Sequence, residues 1–421
     1  MKVWLIQTGE PVPLTPDVKR MRTALLAEEL ASRGHDVVWW ASSFDHGSRR
    51  FVAPGGSVER IGERIEARLL PAFGYRSNMS LSRYLDHKRV ARGFRRTSGW
   101  DSDRPDLVVA ATPDYHIGAD AAEYAQRRGI PYVVDVRDPW PESFTDLVPT
   151  RMGRRIAGLL LTRDFAKVRR MTRGAAGIVG MMESMLEWGL AQAGRARGPT
   201  DRVFYLGTEP LPAPDPAFLI SLKRQLPTDG RPFVVYVGTF GRYNHPGVIV
   251  DAFRSLRAGG RDPGFDVIIG GAGELFATIE RQAKSLPGVH LTGWLQPEQI
   301  AAVLSLGSVG VVPWTKGHAF PNKAFSYFAA GLPVLTSAAG DLERILRAEE
   351  IGDFYPPGNS HTLASRLRDL LHDPGALAAM RSRVRELYRR RFLADGIYRD
   401  YADYLEGIVR SSRPKPACGP S

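Results

Sequence analysis

Apolar residues in the first half of the chain come in short continuous runs, with little polar alternation. They are "VWLIQ" (3–7), "DVVWWAS" (36–42), "PDLVVAAT" (105–112), "PYVVDV" (131–136), "AAGIVGM" (175–181) and "RVFYLG" (202–207). A parallel strand covered by helices on both faces has no wet side, so it reads as such a run. Helical spacing fills the gaps. Val18, Met21 and Leu25 predict a helix with Thr15 as N-cap, Pro16 as its first residue and Gly34 as its stop. "IGADAAEYAQRRG" (117–129) predicts another.

The alternation halts at "TEPLPAPDPAF" (208–218), a proline-rich stretch that reads as a linker, with a polar connector running to Arg231. It restarts with "PFVVYVG" (232–238), "FDVIIGG" (265–271), "VHLTGW" (289–294), "VGVVPW" (309–314) and "LPVLTS" (332–337). The expected fold class is α/β, with two doubly wound domains of similar size. The first spans 1–207 and the second 231–390, joined by a linker at 208–230. Residues 391–410 form a terminal helix able to return to the first domain, and 411–421 a disordered tail. A length of 421 residues supports two cores rather than one.

Composition narrows the setting. The single cysteine, Cys418, excludes an intrachain disulfide and a cysteine-based metal site. The N-terminal apolar run is too short for a signal peptide, and no run is long enough to span a membrane, so a cytoplasmic protein is expected. The net charge of +12 is concentrated in two arginine-dense segments, 76–96 and 151–173, with one acid each. In the second, Ile156, Leu159, Leu160, Leu161, Phe165, Val168 and Met171 interleave with Arg154, Arg155, Arg163, Lys167 and Arg170. Such a pattern suits docking on an anionic membrane surface; alternatively the apolar face packs on the first domain's own sheet and only the arginines stay free, a solvated helix face. Nucleic acid is not expected as a partner, because no recognition module accompanies the arginines.

In open α/β sheets, ligands bind beyond the carboxyl ends of the strands. In the second domain this singles out "VGTFGRYNHPG" (237–247), where Gly238 and Gly241 allow close backbone approach and Arg242 adds charge. It also singles out "GGAGEL" (270–275), with Gly271 and Gly273. Neither it nor the loop after 3–7 completes G-x-G-x-x-G, so a dinucleotide fingerprint is absent. The third loop is "FPNKAFSYFAAGLPVLTS" (320–337). Pro321 starts a helix there, and Asn322 and Lys323 stand at its mouth, as an anion site or as plain surface residues. In the first domain, "VVDVRDPWPESF" (133–144) delivers Arg137 and Asp138 to a strand's carboxyl end; Asp138 could equally cap the next helix.

At these residues the chain resembles glycosyltransferase family 4 (group 1), over nearly its whole length. The resemblance runs through "LLAEELASRGHDVVWW", "DVRDPWPES", "YVGTFGRY", "GGAGEL", "LTGW" and "PNKAFSYFAAGLPV". It is similar to a subgroup associated with cell-surface polysaccharide and O-antigen assembly. The resemblance implies the GT-B fold, two facing Rossmann-like domains with a cleft between them. It implies transfer with retention from a nucleotide-sugar, a UDP-sugar, without a bound metal or other cofactor. The acceptor is then a saccharide, or a sugar on a polyprenyl diphosphate at the inner face of the plasma membrane. Gly238, Thr239, Gly241, Arg242, Gly271, Gly273, Trp294, Asn322, Lys323 and Ser326 are the implied donor-site positions. Asp138, Arg137, His318 and Lys323 are the implied catalytic ones. The chain departs from the family at its pair of glutamates spaced eight apart, which falls on His318 and Ser326. Thr239 stands where many members carry arginine, and "NHPG" lacks their lysine. Two other readings share the fold: a non-hydrolysing sugar-nucleotide epimerase, and a GT-B protein that binds without turnover.

Overall fold

The computed structural model describes residues 1–412, except 78, 79, 99–103, 146, 147, 149, 228, 261, 317 and 318. Of the expected tail 411–421, the first two residues continue the terminal helix, while 413–421, with Cys418, and also His318 lie outside the described residues. Two compact units divide the chain. One comprises Met1–Tyr205 with the segment from Ile397 onward, and the other Leu206–Gly396.

The first unit is built on an eight-stranded sheet. Its strands are β1 (Lys2–Ile6), β2 (Asp36–Ser42), β5 (Val58–Gly62), β6 (Ile65–Leu70), β7 (Leu107–Ala111), β8 (Tyr132–Val136), β9 (Gly177–Gly180) and β10 (Arg202–Val203). Two short strands, β3 (Phe44–Asp45) and β4 (Arg50–Phe51), pair separately. The spatial order is β10-β9-β8-β7-β1-β2-β6-β5, parallel throughout except for the β5–β6 hairpin. The order reverses between β1 and β7, as in a Rossmann-type sheet. The core beneath it is aromatic: Trp4 stacks on Tyr124 at 5.0 Å and meets Trp40 edge-on at 5.2 Å.

The second unit has six parallel strands: β11 (Phe233–Val237), β12 (Asp266–Gly270), β13 (Val289–Gly293), β14 (Gly307–Val312), β15 (Val334–Thr336) and β16 (Gly352–Phe354). Their order, β13-β12-β11-β14-β15-β16, again reverses beside the first strand, between β11 and β14. Both units are therefore Rossmann-like, and each has one topological switch point where a ligand crevice forms.

Three expectations need correction. The first helix runs from Arg22 to Ser32, not from Pro16. Thr15 and Val18 close only a single turn, and Arg22 is drawn inward by the buried carboxylate of Asp135. The stretch 208–230 is not a bare connector. Asp215 caps Phe218 N–H at 3.0 Å, Pro216 follows at the first helical position, and the helix Pro216–Gln225 belongs to the second unit. The apolar pattern of 151–173 is split between two helices. Val168 and Met171, on the helix Thr162–Arg173, are buried in the first unit's core, whereas no residue of the helix Arg151–Leu160 is buried.

The terminal helix Ala394–Ser412 has Tyr401 beneath the Arg22 guanidinium, 5.1 Å from the ring centre, and stacked on Phe204 at 4.5 Å. Arg22 also donates to the carbonyls of Phe204 and Tyr205. One fully buried ion pair, Arg22–Asp135, thus ties together β8, the first helix and the last residues before the second unit.

Candidate active site

At the second unit's switch point the loop after β11 meets the segment that follows β14. Lys323 is half-buried there. Its Nζ donates to Tyr236 Oη at 2.9 Å and to Asn244 Oδ1 at 2.8 Å. Among the described residues it has no carboxylate partner. Burial disfavours the charged form and lowers its pKa to about 7. The amine is thus held by neutral oxygens at a strand's carboxyl end, where an added anion would restore its charge.

Glycines make this arrangement possible. Gly238 has φ of +145°, and a β-carbon there would stand 3.0 Å from Lys323 Nζ. Gly271 and Gly273 serve a different purpose from the cradle expected of them. A β-carbon on Gly271 would run into the Gly238 carbonyl oxygen, and one on Gly273 into that of Phe240. They let the loop after β12 lie directly against the loop after β11, with Phe240 N–H donating to the Ala272 carbonyl at 2.9 Å. Gly241 N–H bonds the Asn244 carbonyl and so closes the turn that aims Asn244. The carbonyl of Thr239 accepts from Tyr236 Oη at 2.8 Å. Arg242 is exposed; its backbone N–H is held by Glu274 and its side chain lies near the Tyr243 ring. Trp294 is 68% exposed at the end of β13.

The helix after Pro321 is shorter than expected, Lys323–Ala329. The amides of Ala324 and Phe325 donate to the carbonyls of Pro321 and Asn322, so these two are spent within the first turn. Asn322 stands at its cap without a side-chain cap bond. The helix start positions the Lys323 amine against Tyr236 and Asn244. Ser326, one turn on, is half-buried, and its hydroxyl has no hydrogen bond among the described residues.

At the first unit's switch point, Thr8 after β1 donates to Asp114 Oδ2 after β7 at 3.1 Å. The narrow cavity here has room for about one water, ≈ 10 Å³, and is lined by Thr8, Tyr75, Arg83, His87 and Asp114 among others. Asp114 Oδ1 is buried and has no hydrogen-bond partner among the described residues; His87 Nδ1 is 3.5 Å away. Burial raises the Asp114 carboxyl to about 7 and lowers His87 to about 3. Neutral His87 accepts from Arg83 Nε at 3.3 Å, while the Arg83 guanidinium covers Trp140 at 4.5 Å.

Arg137 and Asp138 part company at the end of β8. The expectation that Arg137 faces a ligand is not met. It is buried, with its guanidinium spent on Glu10, Asp135 and the Thr23 hydroxyl. Asp138 is exposed. Its backbone is fixed by the Thr112 hydroxyl, which accepts from the amides of Arg137 at 2.8 Å and Asp138 at 3.2 Å. Close surroundings raise its carboxyl by desolvation, opposed by the charge of Arg83. No side-chain hydrogen bond marks it as a helix cap among the described residues.

Tyr236, Asn244, Arg83 and Asp114 are site residues that the sequence reading did not single out. Asp114 was within reach, because "PDLVVAAT" ends at the first unit's switch point and the carboxyl-end rule applies there too.

Two Rossmann-like units, each with polar and charged groups gathered at its switch point, are the architecture of the GT-B fold. Residues 220–387 match the family described as "Glycosyl transferases group 1", and residues 20–203 the "Glycosyl transferase 4-like domain". The two stretches together take up most of the chain and support a group 1 glycosyltransferase. No curated protein matches it in sequence. Similar solved structures include sucrose-phosphate synthase from Thermosynechococcus elongatus, at 19% identity and a TM-score of 0.71, covering 97% of this chain and 99% of that one. HepE from Anabaena in complex with UDP is 16% identical with a TM-score of 0.64, covering 96% and 99%. The lipopolysaccharide outer core galactosyltransferase WaaB is 16% identical with a TM-score of 0.58, covering 98% and 100%.

Proposed function

We propose that this chain transfers a sugar with retention from a UDP-sugar to a saccharide or lipid-linked acceptor, in the assembly of a cell-surface polysaccharide. The donor belongs to the second unit and the acceptor to the first. One observation carries the reading: the Lys323 amine, desolvated and without a carboxylate partner, beside Gly238 at the second switch point. A departing diphosphate supplies the anion this amine lacks, and fixed donors aimed at developing charge are the main source of catalysis in such transfers. UDP as the carrier is supported by HepE, a structural relative captured with UDP and with UDP-glucose.

In this mechanism Lys323, beside the bare Gly238 turn, holds the diphosphate as the bond to the sugar breaks, and no bound metal is required. The acceptor attacks from the same face, and the leaving phosphate oxygen takes its proton. Asp138, exposed at the end of β8, orients acceptor or transferred sugar and is not given the role of base. Ser326 meets the donor ribose with one hydroxyl, in place of the family's carboxylate. Arg242 and Trp294 flank the same loops. His318 stays a candidate by its place in the motif alone. The chain acts at the cytoplasmic face of the membrane as a peripheral protein; no described helix is long and apolar enough to cross one.

The test is a thermal-shift panel of nucleoside diphosphates and nucleotide-sugars, followed by mass measurement of products. Release of nucleoside diphosphate together with a product heavier by one sugar supports transfer. An isomerised nucleotide-sugar would indicate an epimerase, and binding without turnover a non-catalytic GT-B protein.

A further inference from the structure

The helix Arg151–Leu160 stands apart from the other helices of the first unit. Thr150 caps it through Gly153 N–H at 3.1 Å, yet none of its residues is buried. Met152, Ile156, Leu159 and Leu160 recur at i, i+4, i+7 and i+8, which puts them on one face. They are 65%, 53%, 75% and 79% exposed. Arg151 and Arg155 run along the flank of that stripe. Neither they nor Arg154 and Arg163 make an ion pair among the described residues. Leaving four large apolar side chains in water has a cost that a covering partner would remove.

The choice of partner follows from the charge. From 151 to 173 the chain carries eight basic residues and one acid, Asp164, and that acid is buried. An apolar stripe edged by unpaired arginines fits the boundary between acyl chains and anionic headgroups. The helix is also joined to the acceptor-side residues. Asp164, just after it, accepts from Tyr84 Oη at 3.0 Å; Tyr84 meets Phe144 at 6.4 Å, and Phe144 meets Trp140 at 4.4 Å. Leu81 and Leu85, on the same face as Tyr84, are exposed as well.

We infer that the helix Arg151–Leu160 inserts its Met152–Ile156–Leu159–Leu160 stripe into an anionic bilayer, so that a lipid-carried acceptor reaches the Asp138 end of β8 from the membrane. The inference rests on the glycosyltransferase reading for the acceptor, but not for the docking itself. Attachment is by insertion as well as by charge, because the leucines of this helix are not used in the core.

Flotation of the full chain with vesicles tests it. Phosphatidylcholine vesicles are compared with phosphatidylcholine–phosphatidylglycerol vesicles at low and high salt. The protein should float with the anionic vesicles, weakly or not at all with the neutral ones, and less at high salt. Replacing Arg151, Arg154 and Arg155 by Gln should weaken binding roughly fivefold per residue, the equivalent of about 1 kcal/mol each. Leu159→Ser with Leu160→Ser should abolish the salt-resistant fraction. A Leu160→Trp variant should shift its fluorescence to the blue on anionic vesicles only. Equal recovery with neutral vesicles, no flotation, or full flotation of the double serine variant would overturn the inference. So would a wild-type dimer that the serine variant dissolves without any flotation, which would assign the stripe to a second copy. Nucleoside diphosphate binding is measured on the same preparations. Protein that binds but does not float removes the docking alone, and protein that floats but does not bind removes the donor reading alone.

Discussion

Lys323 Nζ occupies the space that a side chain on Gly238 would need, 3.0 Å from the position of its missing β-carbon. The backbone at Gly238, with φ of +145°, also excludes other residues without strain. Gly238→Ala should therefore displace the amine from Tyr236 and Asn244. Nucleoside diphosphate affinity should fall at least tenfold, a loss of about 1.4 kcal/mol. Titration calorimetry of the folded variant checks this, and unchanged affinity would show that the amine does not depend on the bare turn.

Donor binding should depend on pH through the same amine. The free protein holds Lys323 near 7, below its ordinary 10.5, while a bound diphosphate favours the charged form. Above pH 7 binding must then take up a proton, so affinity falls as pH rises, by up to about tenfold per unit. Titrations between pH 7 and 9 in buffers of different ionisation heat would count the proton. The stability contribution has the opposite slope. The unfolded chain binds the extra proton between about 7 and 10.5, so stability rises with pH across that window. A flat binding profile would detach Lys323 from the diphosphate.

The buried pair Arg22–Asp135, with both side chains 0% exposed, predicts a large asymmetry. Burial works against both charges, but each is held in its charged form by the other. Asp135→Asn should lower unfolding stability by about 3–5 kcal/mol, because it leaves the guanidiniums of Arg22 and Arg137 short of a charge. Arg22→Met combined with Asp135→Leu should cost less than the sum of the single changes. Urea denaturation of the four proteins closes the cycle, and additive losses would mean that the pair does not act as one unit.

Asp138 and Arg137 should behave differently although adjacent. Asp138→Asn should leave the melting temperature unchanged and reduce turnover on the order of 10²-fold, the effect of losing an orienting contact. Arg137→Ala should first destabilise the fold, since Glu10 and Asp135 lose a partner. Thermal melts and turnover measured side by side separate the two, and a stable, inactive Arg137→Ala would reverse the assignment.

The strand succession was legible because strands of a covered parallel sheet are continuous apolar runs, as in "FVVYV" and "DVIIG". What escaped lies at the edges. The β5–β6 hairpin, "VERIG" and "IEARLL", carries charges on its open side, and β16 is only three residues long. Proline hid the helix Pro216–Gln225, although Asp215-Pro216 is an N-terminal helix signal. At the site, Lys323 stood out by its motif, but Tyr236 could not, because a tyrosine within β11 reads as core. Arg83 was indistinguishable from the surface arginines around it, and Arg137 looked available because one of its partners, Glu10, lies far away in sequence. Local pattern reveals periodicity and loops; it does not reveal which distant charge a side chain will meet.

The most direct measurement is calorimetric titration of UDP, GDP, ADP, CDP and TDP into the wild-type chain and into Lys323→Ala, beside a melt showing that the variant folds. The account predicts that wild type binds UDP in preference to the others. It predicts that Lys323→Ala weakens that binding and, with the matching nucleotide-sugar, slows turnover by about 10²–10³-fold. A wild type that binds none of the five, or a folded Lys323→Ala that binds UDP as tightly as wild type, would contradict it.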